Sequence, residues 1–480
     1  ITVKYLINKN NRSIHIMDEH HSYAFSPEEW EICLKVLTSL KDQPEHNPDN
    51  LRFSGLISKI YKTHKKQNRD HQEHVRKQHD SNLKKQAIIA TMALNNQTLY
   101  QSNLSMQFQA ISTVQPHYFA QPQHCYICHQ HYQQAHGFYH RLCPACAEMN
   151  YAMRFAQTDL SGRNVILTGG RVKVGFATAL KLLQQGANVC LTTRFPALAL
   201  SQFQQHADYA AWQDRLFVYG LDLRSLEHID QFIEFYQEKY KTLDILINNA
   251  AQTIHYPENY YAPLIQLEQQ QAKQLSHQTH WQNNEIPVVS SNMQLPQQTF
   301  LQAELNDLPL SRFGQPIDHR EKNSWNSRLE DIELKELLEV NLINHIAPYR
   351  LIQGLKPCLL QSTFSEKFII NITSSEGIFS YHNKTADHPH TNMTKAALNM
   401  LTRTTAQDFV KDQIYMCAVD VGWISTGAIE PLRQKQFDKG MIPPLDSVDG
   451  ASRITHPILT GLQGQHFVGV LLKDYKIHPW

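Results

Sequence analysis

The chain has 480 residues, 41% of them hydrophobic, with 45 lysines and arginines against 44 acids and a formal net charge of +1. That length predicts two or three domains, and the near-neutral balance excludes a global field that would draw nucleic acid or an anionic membrane. No apolar run approaches the roughly 18 residues of a membrane span, and no apolar stretch of secretory type follows Ile1–Tyr5. Of the 8 cysteines, four cluster and four (Cys33, Cys190, Cys358, Cys417) are scattered in apolar surroundings. This is the usage expected of a reducing cytoplasm, not of a secreted disulfide framework.

Residues 1–64 read as a small α+β domain. Thr2–Asn8 and Ser13–Met17 alternate apolar and polar residues around Asn8-Lys9-Asn10-Asn11, a hairpin signal. Ser26 then caps a helix, with Pro27 at its first position and Glu29 completing a capping box. Trp30, Cys33, Leu34 and Leu37 have the spacing of one buried helical face, and a second amphipathic stretch runs from Leu51 to Tyr61. Such a domain suits docking of a protein partner. It faintly resembles the start of a winged helix, but no recognition helix can be picked out, which argues against DNA.

Residues 65–120 read as a polar helix and a linker. The basic residues of Lys62–Gln86 are broken by Asp70, Glu73 and Asp80, the pattern of a solvated helix face, and Leu94–Gln123 has little periodicity. Residues 121–155 carry Cys125-Tyr-Ile-Cys128 and Cys143-Pro-Ala-Cys146. Each pair lies on a tight turn, and two such knuckles complete a tetrahedron of thiolates around Zn2+, a closed structural site with no open position. A metal-free thiol cluster and a redox switch are the alternatives. The neighbouring histidines His124, His129, His131, His136 and His140 are not needed as ligands.

From residue 156 to 480 the pattern becomes α/β. Asn164–Thr168 is a short apolar strand, Gly169-Gly170-Arg171-Val172-Lys173-Val174-Gly175 a glycine-rich turn, Phe176–Gln185 an apolar helix and Val189–Thr193 a second strand. This is a dinucleotide-binding βαβ unit, in which glycines let backbone N–H groups approach a pyrophosphate at the helix N-terminus. The succession from Asp159 onward resembles the short-chain dehydrogenase/reductase family. Thr168-Gly169 and Gly175 resemble the ends of its TGxxxGxG turn, Asp222-Leu223 its adenine-side acid, and Asn248-Asn249-Ala250-Ala251 its NNAG strand end. Asn341 resembles the helical Asn of its catalytic tetrad, Ser374 in Asn371-Ile-Thr-Ser374-Ser375 its Ser, and Lys395 its YxxxK Lys. Thr426 in Asp420-Val-Gly422-Trp-Ile-Ser-Thr426 resembles the Thr beside the nicotinamide.

The resemblance implies a doubly wound Rossmann-type parallel sheet that binds NAD(P), acts on a small carbonyl or alcohol, and self-associates. Ser374 would bind the reacting oxygen, Lys395 the ribose, and Asn341 a water. The second strand ends in Thr192-Thr193-Arg194 without the acid of an NAD site, and Arg194 with Arg171 can meet a 2′-phosphate, so NADP is expected over NAD.

Three departures stand out. Lys173 replaces a glycine of the turn. Four residues before Lys395, where the family has its acid/base Tyr, the chain has Thr391. Residues 253–328 form a Gln-rich insertion with six prolines, read as a lid over the site or else as a partner-binding loop. The missing phenol then comes from Tyr381, from His388 or His390, or from Tyr256, Tyr260 or Tyr261. The other expectation is an inactive, NAD(P)-binding sensor or scaffold.

Overall fold

The computed structural model describes residues 24–97, 117–275, 279–282, 310–381 and 384–480. The hairpin expected within residues 2–17 lies outside them. The chain divides into two units, Ile1–Arg76 and Lys77–Trp480.

The first unit contains the helix Pro27–Leu40, capped as the sequence predicts: Ser26 Oγ accepts from the Glu29 amide at 3.2 Å and Glu29 Oε2 from the Ser26 amide at 2.7 Å. The expected burial of its apolar face is not found. None of its residues is buried, and Trp30 is 46% exposed. Helical spacing fixes which residues share a face and does not supply the surface that covers it. The second amphipathic stretch and the polar stretch form one 37-residue helix, Asn50–Gln86.

The second unit is built on a nine-stranded sheet, ordered β11-β10-β9-β8-β6-β3-β4-β5-β7. Its strands are β3 (Asn164–Thr168), β4 (Asn188–Thr193), β5 (Leu216–Gly220), β6 (Ile245–Asn248), β7 (Trp281–Gln282), β8 (Lys367–Thr373), β9 (Ile414–Asp420), β10 (Leu471–Lys473) and β11 (Lys476–His478). All neighbours are parallel except the terminal β10–β11 hairpin. The strands are short and almost wholly buried, as a sheet covered on both faces requires. Alternate residues serve opposite cores. Val165 and Leu167 pack with the helices Lys173–Gln184 and Ser447–Leu462, and Ile166 packs with Leu226–Lys239 and Ala347–Leu360. The chain runs outward through β3, β4 and β5, then returns to the other side of β3 at β6. The order reverses there, and the carboxyl ends of β3 and β6 open the crevice where a ligand binds in such sheets.

The cysteine region joins this unit through a core of its own. β1 (Tyr118–His124) and β2 (His131–Gln134) pair antiparallel and the helix Pro144–Phe155 follows. Phe119, Phe138, Tyr139 and Leu142 share a buried cluster with Ile424 and Leu445. The module reaches further upstream than residue 121. The helix Ile88–Leu94 contributes Ile88, Ile89 and Met92 to the cluster, and Asp80 accepts from the Ala120 amide at 2.6 Å. Among the described residues no helix is long and apolar enough to cross a membrane.

Candidate cofactor and active-site cleft

The carboxyl ends of β3, β4, β6, β8 and β9 open into one cleft of about 1210 Å3, larger than the roughly 300–1,000 Å3 of an ordinary small-ligand pocket. Its floor is the glycine-rich turn. Gly169 has φ +71°, and a Cβ there would lie 2.9 Å from the Ala250 backbone; one on Gly175 would lie 2.1 Å from the Gly169 carbonyl oxygen. Only glycine fits this approach of turn to helix. Thr168 and Gly170 do not line the cleft but build it. The Thr168 hydroxyl accepts from the Asn249 and Ala250 amides, each at 3.0 Å, and a Cβ on Gly170 would strike Leu191. Val172 caps the following helix without a side-chain bond, which leaves its first amides facing the cleft. Lys173 holds a glycine-like backbone at φ +53°. Burial, and then Arg312, pull its pKa down to about 8.

At the end of β4 two arginines lie side by side. Arg194 Nη2 donates to the Tyr261 hydroxyl at 3.1 Å with its guanidinium over that ring, and Arg171 Nη1 donates to the Gly314 carbonyl at 3.2 Å. Neither makes an ion pair among the described residues. Burial, and then the Arg194 charge, push Arg171 down to about 10. Across from them Asp222 and Leu223 line the wall. Burial would raise the Asp222 carboxyl, but the forked contact with Arg224, at 3.0 and 2.6 Å, holds it below its usual range.

At the other end stand Ser374, Thr391, Lys395 and Thr426, all lining the cleft. Lys395 is buried and its Nζ donates to the Ile372 carbonyl at 2.8 Å; burial draws its pKa down to about 8 against the pull of Glu376 and Asp420. The Thr391 hydroxyl is buried without a hydrogen-bond partner. Asn341 does not reach this place. Its amide turns back to the Leu337 carbonyl at 2.7 Å. A wide helical turn at Leu342–Ile346 follows, and it is Asn344 that faces inward. Asn344 exchanges bonds with both the amide and the carbonyl of Gln252, at 2.7 and 2.9 Å, and donates to the Thr394 hydroxyl at 3.0 Å.

Among the candidate proton donors, Tyr381 lines the cleft with Ser374, and Lys473 Nζ lies 5.6 Å from its ring centre while pairing with Asp420 at 3.1 Å. His388 and His390 do not line it. The first stacks on Trp325 and bonds its carbonyl at 2.7 Å, and the second pairs with Glu336 at 3.1 Å. Tyr256, Tyr260 and Tyr261 are at the arginine end, Tyr256 stacked on Tyr260 and Tyr261 edge-on to both.

Two further walls complete the cleft: the insertion, which the sequence suggests as a lid or a partner-binding loop, and the cysteine module, whose place here the sequence does not show. The insertion closes on itself at its base, where Ser324 Oγ accepts from the His255 amide at 2.8 Å, and it brings Gln315 and Trp325 to the cleft. The cysteine module contributes Tyr126, Ile127, Cys128, His129 and Arg141. Tyr126 locks the two parts together, its hydroxyl accepting from the Trp423 amide at 2.8 Å.

The four cysteine sulfurs lie within 4.8 Å of one another, with Cys128 and Cys143 at 3.7 Å. A tetrahedron with Zn–S of about 2.3 Å has edges of about 3.8 Å, whereas a disulfide needs about 2.05 Å. The Cys143 amide also donates to Cys125 Sγ at 3.4 Å. The cluster can hold a metal ion, and its geometry fits zinc.

Two family models match the chain: short chain dehydrogenase over residues 163–279, and enoyl-(acyl carrier protein) reductase over residues 320–442. An uncharacterized protein of Acanthamoeba polyphaga mimivirus is 34% identical over 349 residues, 70% of this chain and 71% of that protein. A probable oxidoreductase of Streptomyces lividans is 36% identical and the protochlorophyllide reductase of Pisum sativum 29%, over 19% and 24% of this chain and 29% and 28% of theirs. The NADPH-bound carbonyl reductase from chicken fatty liver aligns over 67% of this chain and all of its own, at 20% identity and a TM-score of 0.40. The strand order, the glycine-rich turn at its switch point and the two matched family segments agree: the chain belongs to the short-chain dehydrogenase/reductase superfamily.

Proposed function

We propose that the protein is an NADP(H)-dependent oxidoreductase acting on a carbonyl or alcohol, with a structural zinc ion in the wall of its site. The observation that carries this reading is one cleft that holds the glycine-rich turn, the Arg171–Arg194 pair, Ser374 and Lys395 together. Bound NADPH supplies the hydride. The turn and the free amides of the Lys173–Gln184 helix hold the pyrophosphate, Asp222 and Leu223 border the adenine, and Thr426 borders the nicotinamide. Ser374 donates to the substrate oxygen. Lys395, cationic at neutral pH with a pKa of about 8, holds the ribose and supports negative charge on that oxygen. Asn344, not Asn341, fixes the helix that carries Thr394 and Lys395. Tyr381 delivers the proton, because its phenol shares the cleft with Ser374 and stands over the Lys473 charge.

The two unpaired arginines make the cofactor preference testable. Calorimetric titration is expected to show NADPH binding more tightly than NADH. Arg194→Ala should weaken NADPH by about 1.5–3 kcal/mol, the range of a charged hydrogen bond, and barely alter NADH. Equal affinities in the wild type exclude the preference.

Zinc is expected at about one ion per chain by elemental analysis of protein purified without chelator, and Cys143→Ser should release it. Protein that carries no stoichiometric metal, and takes up none when zinc is supplied, rules the metal out.

The inactive-sensor reading rests on Thr391. A buried hydroxyl without a partner stands where the family places its phenol. It predicts tight NADPH binding and no turnover.

A further inference from the structure

We infer that Arg141 is the anchor for an anionic group on the substrate, so that the carbonyl compound handled here carries a carboxylate or a like-charged substituent. The inference rests on the oxidoreductase reading above and extends it to the class of substrate.

Arg141 lies in the loop between the two cysteine pairs, and its carbonyl accepts from the Tyr126 amide at 2.9 Å, which fixes the backbone. Its side chain is half-buried, faces the cleft, and lays its guanidinium over the Trp423 ring at 5.2 Å. Trp423 is itself held by Tyr126. The guanidinium is therefore stacked on the Gly422–Thr426 segment of the cleft wall.

Lys173 lies over the Phe313 ring and Lys476 is exposed, while four other cations of the cleft have an ion pair or an uncharged hydrogen-bond partner. Lys473 pairs with Asp420, Lys395 bonds the Ile372 carbonyl, Arg171 the Gly314 carbonyl and Arg194 the Tyr261 hydroxyl. Arg141 makes no ion pair and no side-chain hydrogen bond among the described residues. A guanidinium drawn out of water costs free energy until an anion meets it. Its planar fork of donors matches a carboxylate better than a lysine would. A neutral substrate would leave the charge unanswered when the cleft fills.

The test compares wild type, Arg141→Gln and Arg141→Lys, each checked for zinc content and NADPH affinity. The reactive probes are para-carboxybenzaldehyde and its neutral methyl ester; the unreactive probes are benzoate and terephthalate, titrated calorimetrically into protein saturated with NADP. The inference predicts that wild type prefers the acid to the ester. Arg141→Gln should lower kcat/KM for the acid about 10- to 100-fold, the effect of a charged hydrogen bond. It should leave the ester unchanged and weaken benzoate and terephthalate binding to a similar degree, with Arg141→Lys recovering only part. Anion binding that depends on Arg141 without turnover of either aldehyde keeps the anchor and sinks the redox reading instead. Three results overturn the inference: wild type that binds neither anion, binding indifferent to Arg141→Gln, or a variant whose defect is loss of NADPH affinity or of zinc with anion binding intact. The last would mean that Arg141 serves the cofactor phosphate or the thiolate cluster.

Discussion

Tyr381→Phe is expected to slow NADPH-dependent carbonyl reduction by about 100- to 10,000-fold, the value of a positioned general acid, while leaving NADPH affinity unchanged. The reason is geometric. Among the side chains weighed as donors, Tyr381 alone combines a place in the cleft with Ser374 and a lysine against its ring. His388 and His390 are spent on Trp325 and Glu336, and the tyrosines of the insertion sit with Arg194. Thr391→Ala should be mild by comparison, since an aliphatic hydroxyl cannot take the phenol's role. The same account gives a pH profile. Lys395 must be cationic, and with its pKa at about 8, kcat/KM should fall as pH rises through that value. Steady-state kinetics across pH, with calorimetry for the cofactor, checks both. A Tyr381→Phe enzyme within a few-fold of wild type would move the proton donor elsewhere.

Arg154→Ala is expected to destabilise the second unit by about 3–5 kcal/mol, the cost of removing one partner of a buried ion pair. Arg154 ends the helix of the cysteine module, and its guanidinium forks onto Asp446 at 2.7 and 2.9 Å and reaches Asp449 at 2.9 Å. Asp446 caps the helix Ser447–Leu462, and Asp449 also accepts from the Tyr139 hydroxyl at 2.6 Å. The Arg154 side chain is 6% exposed and that of Asp449 not at all. Truncation strands two carboxylates out of water in the seam between module and sheet. Arg154→Lys should rescue little, because an ammonium cannot make the fork. Denaturant unfolding of wild type and both variants measures this. A loss under about 1 kcal/mol, the value of a surface pair, would mean that the seam is held by its apolar cluster alone.

How far the sequence could be read depended on how local each signal is. The βαβ unit, the two cysteine pairs and Asn248–Ala251 are written in contiguous residues, and the structure brings them to the places their patterns imply. Asn341 and Asn344 differ by less than one helical turn. Which of them faces Gln252 is decided by the wide turn at Leu342–Ile346, a backbone event that leaves no mark in residue type. The apolar spacing of Pro27–Leu40 was legible, but spacing names no partner surface, and none of the helix's residues is buried. The contact of Arg171 with Gly314, the lock of Tyr126 on Trp423 and the reach of Lys473 to Asp420 span long stretches of chain. No periodicity carries such pairings. The cysteine region reads in sequence as a structural metal module, while in the structure it is also a wall of the cleft.

Hydride transfer from NADPH, with Ser374 at the reacting oxygen, is the reaction proposed for this cleft. NADPH oxidation against a broad panel of aldehydes, ketones and quinones, wild type beside Ser374→Ala, tests it most directly. The account predicts turnover of at least one carbonyl, reduced about 100- to 1,000-fold in the variant, as for loss of a preorganised donor, at unchanged NADPH affinity. Tight NADPH binding with no turnover of any carbonyl, or turnover indifferent to Ser374, would contradict it.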